Sequence, residues 1–410
     1  MLIDMKDKLP EYIETLCEGQ KFMLIKPSYC KASICEIAGT ILKLFNIKSS
    51  FRFLSEDVFD YSVIGEVEKL LLIILDSLGY TFSLSFKDVY EKAKFSTILT
   101  STAPSTTSTA IASIFYGLTP LEHGILGYHM YLERLGTVVN ILKFTPILNP
   151  SRDSLLDYGV SYETLIPHET LFQILVENGV KTVKLLPENL TESSYTNLTS
   201  KGAEKKGYVT LADMFAKILE EIKDEEPKLI VAYWWGLDTI QHLYGTQSRE
   251  ASIEFSTFMY LLNELVLNDI DSSKCRVILT SDHGQINVNS MIHLDQIEEV
   301  VDSLLVPPAG ESRFFTLFLR NKEAITKLFK ERFSKETIVF DRDEVIKYGI
   351  LGLDGNSKFI KRVGDILVVC KEDVAFLYKL RRESNDKIEK LKALHGSLTA
   401  EEMLVPLLIF

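Results

Sequence analysis

Four segments of this 410-residue chain set an acid or a histidine at or just after an apolar run, and they lie far apart in sequence. They are L-L-L-I-I-L-Asp76, W-W-G-L-Asp238-T-I-Q-His242, V-I-L-T-S-Asp282-His283-G and L-His395-G-S. The apolar runs in the first three are short, continuous and rich in aliphatic residues, the pattern of strands buried on both faces of a parallel sheet. In open α/β sheets ligands gather outside the carboxyl ends of the strands. A fold that satisfies all four segments must therefore bring several distant strand ends to one edge.

The rest of the chain is consistent with such a sheet. Strands are expected at 69–75, 181–186, 229–234 and 276–281, alternating with helices near 167–178, 211–223 and 250–268. That alternation predicts a parallel sheet covered on both faces. Residues 1–66 read as a mixed entry segment with helical patterns over 9–17 and 32–46, and residues 67–290 as the catalytic α/β core. The periodicity then changes, and 291–370 read as a small inserted α+β cap with a helix at 322–334. Residues 371–410 complete the core, carry His395 and end in a strand at 404–410.

Composition excludes several classes. Hydrophobic residues make up 46% and charged residues 25%, as in a soluble globular enzyme and unlike a disordered chain. The longest aliphatic stretch, 70–75, is far below the ~20 residues that span a bilayer. The first ten residues include acids and no apolar core segment, so no signal peptide is expected. A net charge of −12 disfavours nucleic-acid polymers as partners, whereas small phosphorylated molecules remain compatible if a metal cluster reverses the local field. Five cysteines without a C-x-x-C pair read as reduced thiols in a cytoplasmic protein. The sequence leaves oligomeric state open.

Taken singly, each motif has a plain structural reading. Asp76 is a natural turn or helix cap. Asp238 and His242, four apart, share a helix face whether or not they bind anything. Asp282-His283-Gly284 resembles a turn, and His395 could sit on the surface. Together, three carboxylates and three histidines supply two divalent ions with hard and borderline donors suited to zinc. Two such ions can hold the attacking and leaving oxygens of an in-line displacement at phosphorus. A fifth segment, T-A-P-S-T-T-S-T-A-I-A-S-I-F-Y-G-L-T-P-L-E-H-G-I over 102–125, packs five hydroxyls into residues 104–109 just before an apolar-periodic run. One hydroxyl explains a helix cap, but five are excessive, and a helix N-terminus also stabilises an alkoxide or a phosphoryl group.

With those residues in view, the sequence resembles the alkaline phosphatase superfamily, and within it the type I phosphodiesterase/nucleotide pyrophosphatase family. The ordered set carries the resemblance: Asp after the first strand, P-x-x-T followed by G-L-x-P-x-x-H-G-I, then D-x-x-x-H, D-H-G and a late H-G. It implies an α/β fold, an alkaline-phosphatase-like three-layer α/β/α core with a mostly parallel sheet. It further implies that Thr107 is the nucleophile, that Asp76, Thr107, Asp282 and His283 surround one zinc, and that Asp238, His242 and His395 hold the other. His123-Gly124 belongs to a structural turn in this picture. Two departures are visible. Tyr128 stands where vertebrate relatives place an asparagine that binds a phosphoryl oxygen, and a tyrosine hydroxyl would donate there. The first strand ends D-S-L-G where the family more often has D-G. The implied activity is metal-dependent hydrolysis of a phosphodiester or pyrophosphate bond through a phosphothreonine on Thr107. Phosphomonoester or phosphonate hydrolysis is the rival within the same chemistry, and a non-catalytic metal-stabilised binding protein is the rival outside it.

Overall fold

Seven strands form the sheet that carries the acids: β1 Lys69–Leu75, β2 Phe95–Thr100, β3 Lys181–Pro187, β4 Glu204–Tyr208, β5 Lys228–Trp234, β6 Cys275–Thr280 and β7 Leu404–Ile409. They belong to a computed structural model that describes residues 9–18, 22–65, 67–149, 151–223, 225–268, 270, 275–353, 357–380 and 388–410. Across the sheet the order is β2-β7-β6-β1-β5-β3-β4. The central β1 pairs in parallel with β5 and β6, and Lys69 lies opposite both Lys228 and Cys275. This shared register brings the carboxyl ends of all three strands to one level. β7 runs antiparallel to both of its neighbours, β6 and β2.

Every residue of β1 is buried. Leu70, Leu72 and Ile74 face one core, and Leu71, Ile73 and Leu75 face the other. Successive side chains of a strand alternate between faces, so a run without polar residues requires cover on both. Full burial of each such side chain is worth about 1.5–3 kcal/mol. Helices Ile37–Leu44 and α1, Thr107–Tyr116, pack on the first face, and helices Leu211–Lys223 and Arg249–Leu261 on the second. The core is thus the three-layer α/β/α arrangement with a mostly parallel sheet.

A second sheet also has seven strands, all paired antiparallel. Its order is Thr337–Asp341, Ile366–Cys370, Phe314–Leu317, Ala309–Glu311, His129–Leu132, Thr137–Asn140 and Thr145–Pro146. Strands from 129–146 therefore share a sheet with strands from the expected cap, joined where Gly310 faces His129. The helix expected over 9–17 is absent: Thr15–Glu18 is a strand paired with Met23–Ile25. Residues 10–13 form a turn closed by the Ile13 amide on the Pro10 carbonyl, and the hairpin gives 15–18 backbone partners across the strand pair. Residues 1–8 of the expected entry segment lie outside the described residues. Among the described residues no helix is long and apolar enough to cross a membrane.

Candidate active site

The in-register ends of β1, β5 and β6 build one wall. Asp76 follows β1 directly, and Asp282-His283 follow β6 after Ser281. β5 leads within two residues into the helix α2, Gly236–Tyr244, which presents Asp238 and His242 one turn apart. The turns after β1 and β6 touch back to back through glycines. A Cβ on Gly79 would lie 3.2 Å from Gly284 Cα, and one on Gly284 would lie 2.7 Å from Gly79 Cα and 2.1 Å from the Glu401 carbonyl oxygen. No side chain fits there, so these two glycines set the spacing between Asp76 and Asp282.

Thr107 opens α1 from the opposite side, after Thr106 as N-cap. Its Oγ1 lies 3.1 Å from His283 Nε2 and 3.5 Å from Asp76 Oδ2. His283 Nε2 is in turn 3.5 Å from both Asp76 Oδ1 and Asp282 Oδ2. Beyond this group, Asp238 Oδ1 lies 3.3 Å from His242 Nε2 and 3.9 Å from His395 Nε2. The His283 and His395 rings stack with centroids 4.0 Å apart. His242 Nδ1 faces the Ala393 carbonyl at 2.7 Å, and His395 Nδ1 faces that of Ser105 at 3.1 Å. A carbonyl only accepts, so each Nδ1 carries the hydrogen and each Nε2 turns a lone pair toward the acids. Ligand atoms of Asp238, His242 and His395 lie within 4.8 Å of one another, as do those of Asp76, Asp238 and His283. Asp238 stands in both groups.

The protein itself compensates only part of this buried charge. Asp76 Oδ1 and Asp282 Oδ2 are buried without a hydrogen-bond partner. Burial, then Asp282 and Asp238, push the Asp76 carboxyl well above the ordinary carboxylate range, despite the hydrogen bond it accepts from the Tyr233 hydroxyl. Burial also acts against ionised Asp238, yet His242 outweighs it and holds that carboxyl below its ordinary value. Burial depresses His395, and the His283 and His242 rings add to the effect. Orphaned carboxylate oxygens beside imidazole lone pairs fit cations, because a buried anion needs a counter-charge. The mixed oxygen and nitrogen donors suit divalent ions such as zinc.

Seven of the eight residues singled out in the sequence meet here. Tyr128 is placed differently: its amide donates to Glu311 Oε1 at 2.8 Å, and its hydroxyl interacts with Asn140. Glu311, on the second sheet, is brought to this wall by the fold. Burial pushes its carboxyl up to about 7, against hydrogen bonds from Thr106 and the Tyr128 amide. Gly396, beside His395, packs on it with φ of 123°, and a Cβ there would come within 2.6 Å of Glu311 Cβ. Ser77, Tyr233 and Gln285 also touch the cluster. Only the D-S-L-G departure pointed to any of them. Arg313 and Arg362 are structural: Arg313 is buried in a two-pronged pair with Glu402 at 2.8 and 2.9 Å, and Arg362 donates to the Gly124 carbonyl. Glu402 also accepts from the Ser397 amide, which ties the second sheet to the loop bearing His395.

The family described as type I phosphodiesterase / nucleotide pyrophosphatase matches residues 83–398. No curated protein matches the sequence. Among solved structures, murine ectonucleotide pyrophosphatase / phosphodiesterase 5 superposes with a TM-score of 0.57 at 17% identity, over 83% of this chain and 87% of that one. Phosphonoacetate hydrolase from Sinorhizobium meliloti 1021, in complex with phosphonoformate, gives 0.59 at 17% identity over 83% and 89%. At that identity the likeness is one of fold, the alkaline-phosphatase-like α/β architecture.

Proposed function

The chain belongs to the type I phosphodiesterase / nucleotide pyrophosphatase family, a family of phosphoric-ester hydrolases, and from that premise we propose that it hydrolyses a phosphodiester or pyrophosphate bond with Thr107 as nucleophile. One observation carries the reading. Thr107 Oγ1 sits at the start of α1 within 3.1–3.5 Å of His283 and Asp76, in a cluster of buried acids and imidazoles with orphaned oxygens.

Asp76, Asp282 and His283 would hold one divalent ion beside Thr107, and Asp238, His242 and His395 a second, both zinc. Bound ions there would lower the pKa of the threonine hydroxyl and offset charge on the transferring oxygens. Thr107 Oγ attacks phosphorus in line, the bond to the leaving oxygen breaks and that oxygen departs with the proton given up by the threonine, and a phosphothreonine that keeps the substrate's other substituent on phosphorus results. Water then attacks the same phosphorus and releases Thr107 with its proton restored. The Thr107 and Ser108 amides open the helix and would donate to phosphoryl oxygens. Tyr128 would contribute through its amide link to Glu311 rather than as a direct donor.

A diester carries one negative charge and a monoester two. Glu311, in contact with Thr106 and the Tyr128 amide, offers no positive charge to match the second charge of a monoester, and this supports a diester or pyrophosphate substrate. Ligands of similar folds, AMP in an inactive variant of murine ectonucleotide pyrophosphatase / phosphodiesterase 5 and phosphonoformate in the hydrolase, support a small phosphorylated substrate. Five free cysteines support a reducing, cytoplasmic setting. Thr107→Ala is expected to cut turnover of bis-p-nitrophenyl phosphate by on the order of 10³-fold or more while bound zinc is retained. Full activity in that variant sinks the proposal. Faster turnover of p-nitrophenyl phosphate or phosphonoacetate by the unaltered enzyme would favour the monoester or phosphonate reading.

A further inference from the structure

Ser77, between Asp76 and the Leu78-Gly79 turn, has a φ of 64°, in the left-handed region that favours glycine. It is fully buried. A non-glycine residue held in that conformation at a site calls for a reason, and the hydroxyl supplies one. Ser77 Oγ lies 2.7 Å from Asp238 Oδ1, 3.2 Å from His283 Nδ1 and 3.1 Å from Gln285 Nε2.

Proton bookkeeping fixes the direction of each bond. Asp238 Oδ1 can only accept, so the Ser77 hydroxyl donates to it. The serine oxygen then accepts, from the Gln285 amide and from His283 Nδ1–H. His283 Nδ1 also faces the Gly284 carbonyl at 3.1 Å, which again requires the hydrogen on that nitrogen. His283 Nε2 is thereby left with its lone pair toward Thr107, Asp76 and Asp282. Gln285 Nε2 completes the link, lying 3.1 Å from the Asp238 carbonyl and 2.5 Å from Asp238 Oδ1.

We infer that Ser77, backed by Gln285, is a positioning residue that locks the ligand faces of Asp238 and His283 to one another, and that a strained backbone is retained at 77 to keep this hydroxyl. The inference rests on the two-ion reading of the site. It gives the departure from glycine after Asp76 a function: one hydroxyl joins a ligand of the first group to the residue that stands in both.

The test compares Ser77→Gly and Ser77→Ala with the unaltered protein, reading zinc affinity by competition with a chromogenic chelator and the thermal midpoint of the metal-free form. Glycine relieves the backbone and removes the hydroxyl, whereas alanine removes the hydroxyl alone. Both variants are expected to lose zinc affinity by roughly 10- to 100-fold, the range for lost partners of ligands. The metal-free glycine variant is expected to melt no lower than the unaltered protein. Unchanged zinc affinity in both variants overturns the inference. So does a loss confined to glycine, which would assign the effect to the backbone. If the unaltered protein takes up no zinc, the two-ion reading falls and this inference with it. Zinc uptake that is indifferent to both substitutions removes the inference alone.

Discussion

The two ends of the seven-stranded sheet both bury carboxylates, and they treat them in opposite ways. At the amino end, Glu221 is buried and meets Lys228 Nζ at 2.8 Å and Lys206 Nζ at 2.5 Å. Burial works against that carboxylate, but the two lysines hold it below the ordinary range. At the carboxyl end, Asp76 and Asp282 are as deeply buried, each has an oxygen without a partner, and Asp76 is pushed upward. An open groove of about 610 Å³ lies at the paired end, lined by Lys181, Glu204, Lys206, Glu221 and Lys228. Size alone would draw attention there. The charge balance points to the other end, because only the unpaired acids leave work for a ligand to do.

The largest effect that can break this comparison comes from Asp76→Asn. If the carboxylate is there for a cation, catalytic efficiency should fall by on the order of 10³-fold, several kcal/mol of lost ion stabilisation. The metal-free protein should gain about 1 kcal/mol, since an uncompensated buried charge is removed. Denaturant titration of the chelator-treated variant reads this directly. A loss of metal-free stability would mean that Asp76 is satisfied in the way Glu221 is.

Glu221→Ala should do the reverse. It leaves Lys228 buried beside a missing partner, and breaking a buried pair costs about 3–5 kcal/mol. The turnover rate per folded molecule should stay the same, because the change lies at the far end of β5. The pH dependence has a definite sign. The folded-state pKa of Glu221 is depressed, so its contribution is present above the usual carboxylate range and is lost as pH falls through the folded value. The stability gap between variant and unaltered protein should narrow below about pH 4. A gap that widens in acid would show that the lysines do not hold this carboxylate.

The same contrast accounts for what could be read without coordinates. The strands that meet at the site were legible because burial on both faces leaves a continuous apolar run, as in Lys69–Leu75, and the helix Leu211–Lys223 showed its 3.6-residue period. Glu204–Tyr208, an edge strand of sequence E-K-K-G-Y, was not legible, since its charged side chains reach solvent and carry no apolar pattern. Nor was the sharing of one sheet by 129–146 and 309–370, joined where Gly310 faces His129 far away in sequence, a contact that local periodicity does not encode. Metal-type acids and histidines announce themselves by residue type and by their place at strand ends. Ser77, Tyr233, Gln285 and Glu311 act through orientation, and common polar residues give no such sign until the backbone brings them together.

The smallest prediction concerns a buried charge that lies between the two ends. Lys184, inside β3, is buried, donates to Ser200 Oγ at 2.9 Å and lies 4.4 Å from the centre of the Phe115 ring. Burial, with Lys205 adding to it, brings its pKa down to about 7. Below pH 7 the ammonium is charged in both folded and unfolded chains, and the folded state bears the full cost of burying it. Between 7 and the ordinary lysine value of about 10.4 the unfolded chain holds more protons, so stability rises with pH. Lys184→Met should therefore stabilise the protein at pH 6 by on the order of 1 kcal/mol, after the lost Ser200 and Phe115 contacts are offset. That advantage should shrink steadily toward pH 10 in urea titrations. A constant difference across the range would mean that Lys184 is matched by its neighbours, as Glu221 is, and would move it to the satisfied side of the comparison.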